Sequence, residues 1–207
     1  MNKCTILGAI GCLAVVLGAA QATPITTPPP SLIGLGGDVK AVYIFANAGD
    51  SSILGLATPS PAMPQIFCNH NTGGCVHSAP GAMVDLGNRS GPLLFTLSDK
   101  TTGTTYDSMN ADTFGDFHVD IRTSYTYAGV PPLSAALMAE LAKLPNVTFV
   151  AWEDHDKSNH SDFDYNDLIF AFSNTKPVRN PGVPEPLSLS LLGGGLIGFA
   201  GLRRKKA

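Results

Sequence analysis

The sequence lacks the short motifs that mark several large classes of enzyme. Its 207 residues contain no nucleophile elbow, no His-Glu-x-x-His helix and no phosphate-binding loop. Basic side chains are scarce away from the two ends: residues 23–182 carry 15 Asp and Glu against 8 Lys and Arg, a net charge of −7. A domain this acidic is a poor binder of nucleic acid and a reasonable binder of divalent cations. We therefore expect no nucleic-acid partner.

The amino terminus has the three parts of a secretory signal peptide. The positive charge of Lys3 precedes an apolar stretch from Ile6 to Ala20, and Ala20-Gln21-Ala22 places small residues around a cleavage point. We expect the secretion machinery to export the chain and signal peptidase to remove residues 1–22.

The carboxyl terminus combines a Pro-rich tetrapeptide, an apolar run and a basic stop. The apolar run, residues 187–202, is about 24 Å long as a helix, somewhat short of a hydrocarbon core of about 30 Å. Flanking basic side chains can snorkel to cover the difference, and they mark the cytoplasmic side of the membrane. We therefore predict a transmembrane segment at 187–202. The tetrapeptide before it is Val183-Pro184-Glu185-Pro186, and the basic stop after it is Arg203-Arg204-Lys205-Lys206.

This tail resembles the PEP-CTERM sorting signal of Gram-negative bacteria over residues 183–206. The resemblance implies recognition by an exosortase, a membrane-embedded protease similar to cysteine transpeptidases. It also implies an inner-membrane anchor before processing. Afterwards the protein would lie at the cell surface or in the extracellular matrix, in association with exopolysaccharide.

Two cysteines remain once the signal peptide is removed. Cys68 and Cys75 enclose the turn-forming run Asn-His-Asn-Thr-Gly-Gly. Because an exported protein enters an oxidising compartment, we expect a disulfide that closes this small loop. The alternative is a zinc site, because His70 and His77 complete two Cys-x-His pairs.

The sequence pattern of residues 38–175 indicates one β-rich domain. A Pro/Thr-rich lead-in, 23–37, precedes it, and a linker, 176–182, follows it. The segment 132–144 has strong helix formers at helical spacing before Pro145. We predict a β-sandwich or jelly-roll-like domain with one short helix. Short runs rich in Val, Ile, Phe and Tyr predict strands at 39–46, 93–98, 117–122, 147–152 and 168–173.

Alternation of apolar and polar residues in 117–122 places one face of that strand in the core and the other in water. His118 falls on the polar face, so we expect it at the surface.

Oxygen-bearing side chains concentrate between the last two predicted strands. The short loop that holds them offers the hard oxygen ligands that Ca²⁺ requires. Asp-x-Asp-x-Asn resembles the start of an EF-hand loop, but Asp167 and Ser173 replace the Gly and Glu that an EF-hand needs later, so the loop is not one. We predict Ca²⁺ as a cofactor, bound by Glu153, Asp154, Asp162, Asp164, Asn166 and Asp167. The alternative is a turn scaffold, in which these side chains only cap backbone N–H groups.

The same residues carry a second resemblance. The strand end 152–154, the run 161–167 and the apolar strand after it are similar to the signature of the DUF4114 family, as is the turn at 110–112 before the strand that contains His118. The match spans about residues 80–173, and it departs from the family at Ala151, where a Gly is frequent. It implies a β-rich domain of bacterial exported and surface proteins.

The sequence thus predicts an exported binding or structural protein, in which Ca²⁺ stiffens residues 153–167 and bridges to acidic exopolysaccharide. The alternative is a secreted hydrolase that acts on polysaccharide, with a metal or paired carboxylates and with His155 and His160 nearby.

Overall fold

Two long strands organise the fold. In this computed structural model, which describes residues 22–179, β1 (Ser31–Ala46) and β4 (Met83–Asp99) have 16 and 17 residues. Most strands have about 3–10. The two pair antiparallel, with register shifts at Leu35/Gly37 and Asp38/Lys40. Because a bulge bends a strand and increases its twist, this long pair can serve both halves of one strongly curved sheet.

Seven further strands complete an antiparallel sheet. Its order is β3-β2-β4-β1-β8-β7-β6, with β5 beside β4 and β9 beside β1. The prediction of a mainly β domain with one short helix is confirmed, and the architecture is consistent with a β-sandwich. The remaining elements are β2 (Ser52–Thr58), β3 (Met63–Cys68), β5 (Thr105–Asp107), β6 (Val119–Arg122), α1 (Ala135–Leu141), β7 (Thr148–Trp152), β8 (Leu168–Phe172) and β9 (Thr175–Val178).

Aromatic side chains join the two halves of the curved sheet. Phe95 of β4 packs on Phe172 of β8 with ring centroids 4.4 Å apart, and Phe67 of β3 stacks on Phe170 of β8 at 5.8 Å. Trp152 at the end of β7 is fully buried in the same cluster. The β2–β4 half therefore covers the β6–β8 half and encloses the main core.

The opposite face of β7 and β8 is also covered. Their alternate residues, among them Phe149 and Ile169, belong to a second apolar cluster with Leu137 and Leu141 of α1. This burial on both faces explains why β7 and β8 are almost wholly apolar in sequence. The helix is shorter than the predicted 132–144, because Ser134 caps its first turn by accepting a hydrogen bond from the Leu137 N–H at 3.2 Å.

Several boundaries of the strands and flanking segments differ from the predicted ones. β1 begins at Ser31, inside the predicted lead-in 23–37, and β9 occupies the start of the predicted linker 176–182. The two ends pair with each other, Ser31 opposite Val178. Pro177, taken as a sign of a linker, is tolerated here because β9 pairs only with β1.

Strands β2 and β3 were not predicted from the sequence, because Gly55 and Pro64 interrupt their apolar pattern. A Cβ atom at Gly55 would lie 2.8 Å from the Pro64 carbonyl oxygen, so the close approach of the two strands requires glycine there.

Cys68 and Cys75 form a disulfide with Cα atoms 6.2 Å apart. Since each sulfur atom is bonded to the other, neither is a thiolate that could bind zinc, and the zinc alternative for this loop does not hold.

The predicted sorting motif 183–186, transmembrane segment 187–202 and basic stop 203–206 lie outside the described residues, as does nearly all of the signal peptide. Among residues 22–179, no helix has the length and apolar character needed to cross a membrane.

Replacement of Phe172 by Ala should destabilise the fold by about 3–5 kcal/mol, because it opens a cavity between the two halves of the sheet. Phe114→Ala is the matched control, since Phe114 is 49% exposed, and it should change stability by less than about 0.5 kcal/mol. Urea unfolding of the full-length protein in detergent measures both values. Equal effects of the two variants would contradict the description of the core.

Candidate functional site

An acidic cluster lies at the edge of the sheet where β7 ends and β8 begins. The two strands are antiparallel neighbours with Trp152 opposite Leu168, so the residues just outside them leave the sheet at the same edge. Glu153 and Asp154 continue β7, and Asp167 leads into β8. The connecting loop therefore begins and ends with carboxylates held on adjacent strands.

Two triads of carboxylates form at this edge and have one member in common. In the inner triad, Glu153, Asp154 and Asp167, one oxygen of each residue lies within 4.8 Å of those of the other two. The outer triad, Glu153, Asp162 and Asp164, satisfies the same limit. The structure thus brings together five of the six predicted ligands, with Glu153 at the centre.

Glu153 is buried without a full set of hydrogen-bond partners. The residue is 2% exposed, and its backbone N–H donates to the His118 carbonyl oxygen at 3.0 Å. No group within residues 22–179 donates a hydrogen bond to its Oε2 atom. A buried carboxylate oxygen with no partner is strongly unfavourable, so this atom requires either a proton or a cation.

The pKa values of the clustered carboxylates also indicate that this site needs protons or a cation. Burial, reinforced by the charge of Asp167, raises the pKa of Glu153 to about 9 and that of Asp154 to about 7. Burial also raises the pKa of Asp164 and Asp167. No lysine or arginine among the described residues forms an ion pair with these carboxylates: Lys157, the nearest along the chain, pairs with Asp116 at 2.7 Å. Among the described residues, His155 is the one basic side chain that offsets this repulsion, with its Nε2 atom 4.0 Å from Asp154 Oδ1.

The outer part of the loop is shaped by two aromatic anchors. Phe163 and Tyr165 both have a φ of 54°, a left-handed conformation uncommon for bulky residues. Their side chains are buried in the second apolar cluster, and the Tyr165 hydroxyl donates to the Phe117 carbonyl oxygen at 2.9 Å. Asp162 and Asp164 do face one site as predicted, but the backbone that carries them is turned rather than extended.

Asn166, the sixth predicted ligand, uses its side-chain amide in hydrogen bonds to neighbouring segments. Its amide nitrogen donates to the Ala128 carbonyl oxygen at 3.1 Å, and its amide oxygen accepts from the Asn47 side chain at 3.3 Å. A Cβ atom at Gly129 would lie 2.8 Å from that amide nitrogen. Asn166 therefore ties the loop to two neighbouring segments, and the same amide nitrogen also donates to the carboxylate of Asp164.

Sequence reasoning missed a third group beside the cluster. Asp50, Asp99 and His155 each offer a ligand atom within 4.8 Å of the others, and His155 Nε2 lies 2.7 Å from Asp50 Oδ2. These residues come from the β1–β2 connection, the end of β4 and the acidic loop, so no local pattern signals their meeting.

The predicted surface position of His118 is wrong. The residue is 1% exposed, and its ring stacks on Tyr106 with centroids 3.7 Å apart. Its Nδ1 atom lies 3.1 Å from the Glu153 carbonyl oxygen, and its Nε2 atom lies 3.0 Å from Asp112 Oδ2. Strand β5 and the segment after it cover His118, which consequently braces the backbone of Glu153.

The ion-free protein should lose stability as pH rises from about 5 to about 8. The pKa of Glu153, about 9 when folded, lies above its ordinary value, so its stabilising contribution is complete below the ordinary value and disappears as pH rises through the folded value. Asp154, with a pKa of about 7 in the folded protein, also contributes less to stability as pH rises. The same holds for His155, because its pKa is raised as well. Asp112, whose pKa is lowered, stays ionised across this range.

Calorimetric melting of the full-length protein in EDTA checks this dependence. Glu153→Gln should flatten the decline, whereas Glu140→Gln, an exposed substitution on α1, should leave it unchanged. A melting temperature that is level or rises with pH would contradict the electrostatic description.

No family model and no curated protein matches this chain. The geometry of the acidic cluster therefore carries the functional inference.

Proposed function

We propose that this is an exported binding or structural protein of the cell surface whose acidic loop holds Ca²⁺. The observation that carries the proposal is the unpartnered, buried Oε2 atom of Glu153 at the junction of two carboxylate triads. A turn scaffold would have to keep Glu153 protonated, because no donor among the described residues reaches that atom. A cation supplies the missing charge.

The donor set favours calcium over other common cations. The five clustered ligands are all carboxylates, and hard oxygen ligands in numbers of about 6–8, including waters, are what Ca²⁺ takes. Zinc prefers nitrogen and sulfur donors, and magnesium usually retains most of its water shell. The residues that would hold the ion are Glu153, Asp154, Asp162, Asp164 and Asp167.

Bound Ca²⁺ would offset the repulsion among these carboxylates and stiffen the loop. The inner residues already sit on rigid strand ends, and the Asp154 N–H donates to Asp167 Oδ2 at 2.9 Å. Asp162 and Asp164 belong to the more exposed segment between β7 and β8. Ion binding would therefore link the segment that carries Asp162 and Asp164 to the ends of β7 and β8.

A cavity next to the cluster supports a role in binding an anionic polymer. It has a volume of about 480 Å³ and is lined by Asp164, Phe163, Arg122 and Tyr127, among others. A cation beside Asp164 would present a positive group to a ligand in this cavity, next to the Arg122 guanidinium, which is paired with Asp120 at 2.6 Å. Acidic exopolysaccharide, which carries carboxylates and hydroxyls, has the matching chemistry.

The localisation part of the proposal rests on the two ends of the chain. Signal peptidase would remove residues 1–22, the segment 187–202 would anchor the protein in the inner membrane, and an exosortase would act at 183–186. The resemblances to the PEP-CTERM signal and to the DUF4114 domain support this route to the surface or extracellular matrix. We infer in addition that the curved sheet is a sandwich of the jelly-roll-like kind.

A hydrolase acting on polysaccharide is the alternative. The raised pKa of Glu153 suits a general acid. However, a general acid must reach its substrate within hydrogen-bond distance, and Glu153 is almost completely buried. Burial of this kind favours a structural cation over catalysis.

Addition of Ca²⁺ to the full-length protein should give a calorimetric binding signal and raise its melting temperature. At a free concentration about a hundredfold above the dissociation constant, the stabilisation is about 2.7 kcal/mol. Asp154→Asn should weaken binding at least about tenfold. Asp38→Asn, an exposed control away from the cluster, should bind as the parent does. Neither heat nor a change in melting temperature would exclude the calcium role.

Intact mass spectrometry of the exported protein tests the route to the surface. We expect a mature form that begins after Ala22 and has lost the residues beyond the sorting motif. A secreted form that still ends at Ala207 would contradict sorting by cleavage.

A further inference from the structure

The two carboxylate triads are distinct groups that share Glu153. The oxygens of Asp154 and Asp167 cluster with Glu153 within 4.8 Å, and those of Asp162 and Asp164 do so independently. Oxygens bound to one Ca²⁺ at roughly 2.3–2.6 Å are separated by at most about 5 Å. Each triad therefore has the dimensions of one cation site, and Glu153 belongs to both.

We infer that the loop binds two divalent cations, an inner one and an outer one, bridged by the carboxylate of Glu153. The inference rests on the proposed calcium role of the same loop and adds the number of ions and their distinct positions. A carboxylate has two oxygens and about four lone-pair sites, so a single residue can bind an ion on each side.

The unpartnered Oε2 atom of Glu153 is the observation that points to a ligand independently of the acidic cluster itself. Glu153 is buried at the junction of the triads, and no donor among residues 22–179 satisfies this atom. A bridging position between two cations would satisfy both oxygens of the side chain.

Charge balance favours more than one ion. Five ionised carboxylates carry five negative charges. Lys157 pairs with Asp116, and His155, which lies 2.7 Å from Asp50 and 4.0 Å from Asp154, is the one basic group among residues 22–179 that pairs with the cluster. One divalent cation would leave three of the charges uncompensated, whereas two would leave one. In a buried setting, uncompensated charge is strongly unfavourable.

The two positions differ in their surroundings. The inner triad uses Asp154, 2% exposed, and Asp167, half-buried, on the ends of adjacent strands. The outer triad uses Asp162, which is exposed, and Asp164, which is half-buried, on the turned segment of the loop. Preformed, rigid ligands bind more tightly than ligands that must be ordered. The inner ion should therefore bind first and the outer ion more weakly.

Native mass spectrometry and calorimetry of the full-length protein in detergent, with Ca²⁺ alone as the probe, test the inference. We expect two ions per chain, with affinities that differ at least about tenfold. Asp162→Asn should remove the weaker ion and keep the tighter one, and Glu153→Gln should weaken both. Asp38→Asn is the matched control and should retain two ions.

The outcomes separate this inference from the proposed function. One ion per chain in the parent protein would overturn the two-ion arrangement while leaving calcium binding intact. No binding at all would overturn both. Retention of two ions in Asp162→Asn, with loss of one in Asp50→Asn, would place the second ion at the Asp50, Asp99 and His155 group and would also overturn the bridged arrangement. Because the parent stoichiometry needs no variant, the test does not depend on the folding of any substitution.

Discussion

The burial of the Glu153 carboxylate among four aspartates is the constraint on which this edge of the molecule depends. Trp152, the residue before it, is fully buried in the main core and fixes the end of β7. The backbone on either side is held by His118, whose carbonyl oxygen accepts from the Glu153 N–H and whose ring contacts the Glu153 carbonyl oxygen. An electrostatically unfavourable group is thus held in place by favourable packing, which is the pattern expected of a binding site prepared for a ligand.

The parts of the fold that follow from local pattern were predictable. β6, β7, β8 and α1 lie within or close to the predicted segments, because alternation and helical spacing are local properties of the sequence. The lengths of β1 and β4 were not, since bulges break the alternation within them. At the site, Asp164 and Asn166 looked equivalent in sequence. The structure distinguishes them. The turned backbone at Phe163 and Tyr165 carries Asp164, a candidate ligand, whereas Asn166 is a structural amide that contacts Ala128 and Asn47.

Contacts between residues far apart in sequence explain the remaining features that were missed or wrongly predicted. Asp50, Asp99 and His155 meet only after three distant segments are assembled, and His118 is buried because Tyr106 of β5 and Asp112 after it cover its ring. The disulfide between Cys68 and Cys75, in contrast, could be predicted, because the two cysteines are close in sequence and an exported chain enters an oxidising compartment. The proposed export is consistent with the disulfide, because oxidising compartments favour disulfides.

A crystal structure of the protein grown with Ca²⁺, with anomalous diffraction to identify the ion, tests the central claim most directly. We expect calcium within about 2.3–2.6 Å of oxygens of Glu153, including its Oε2 atom. Glu153 remaining without a cation in saturating Ca²⁺, its Oε2 atom instead bound to water or to a protein donor, would contradict it.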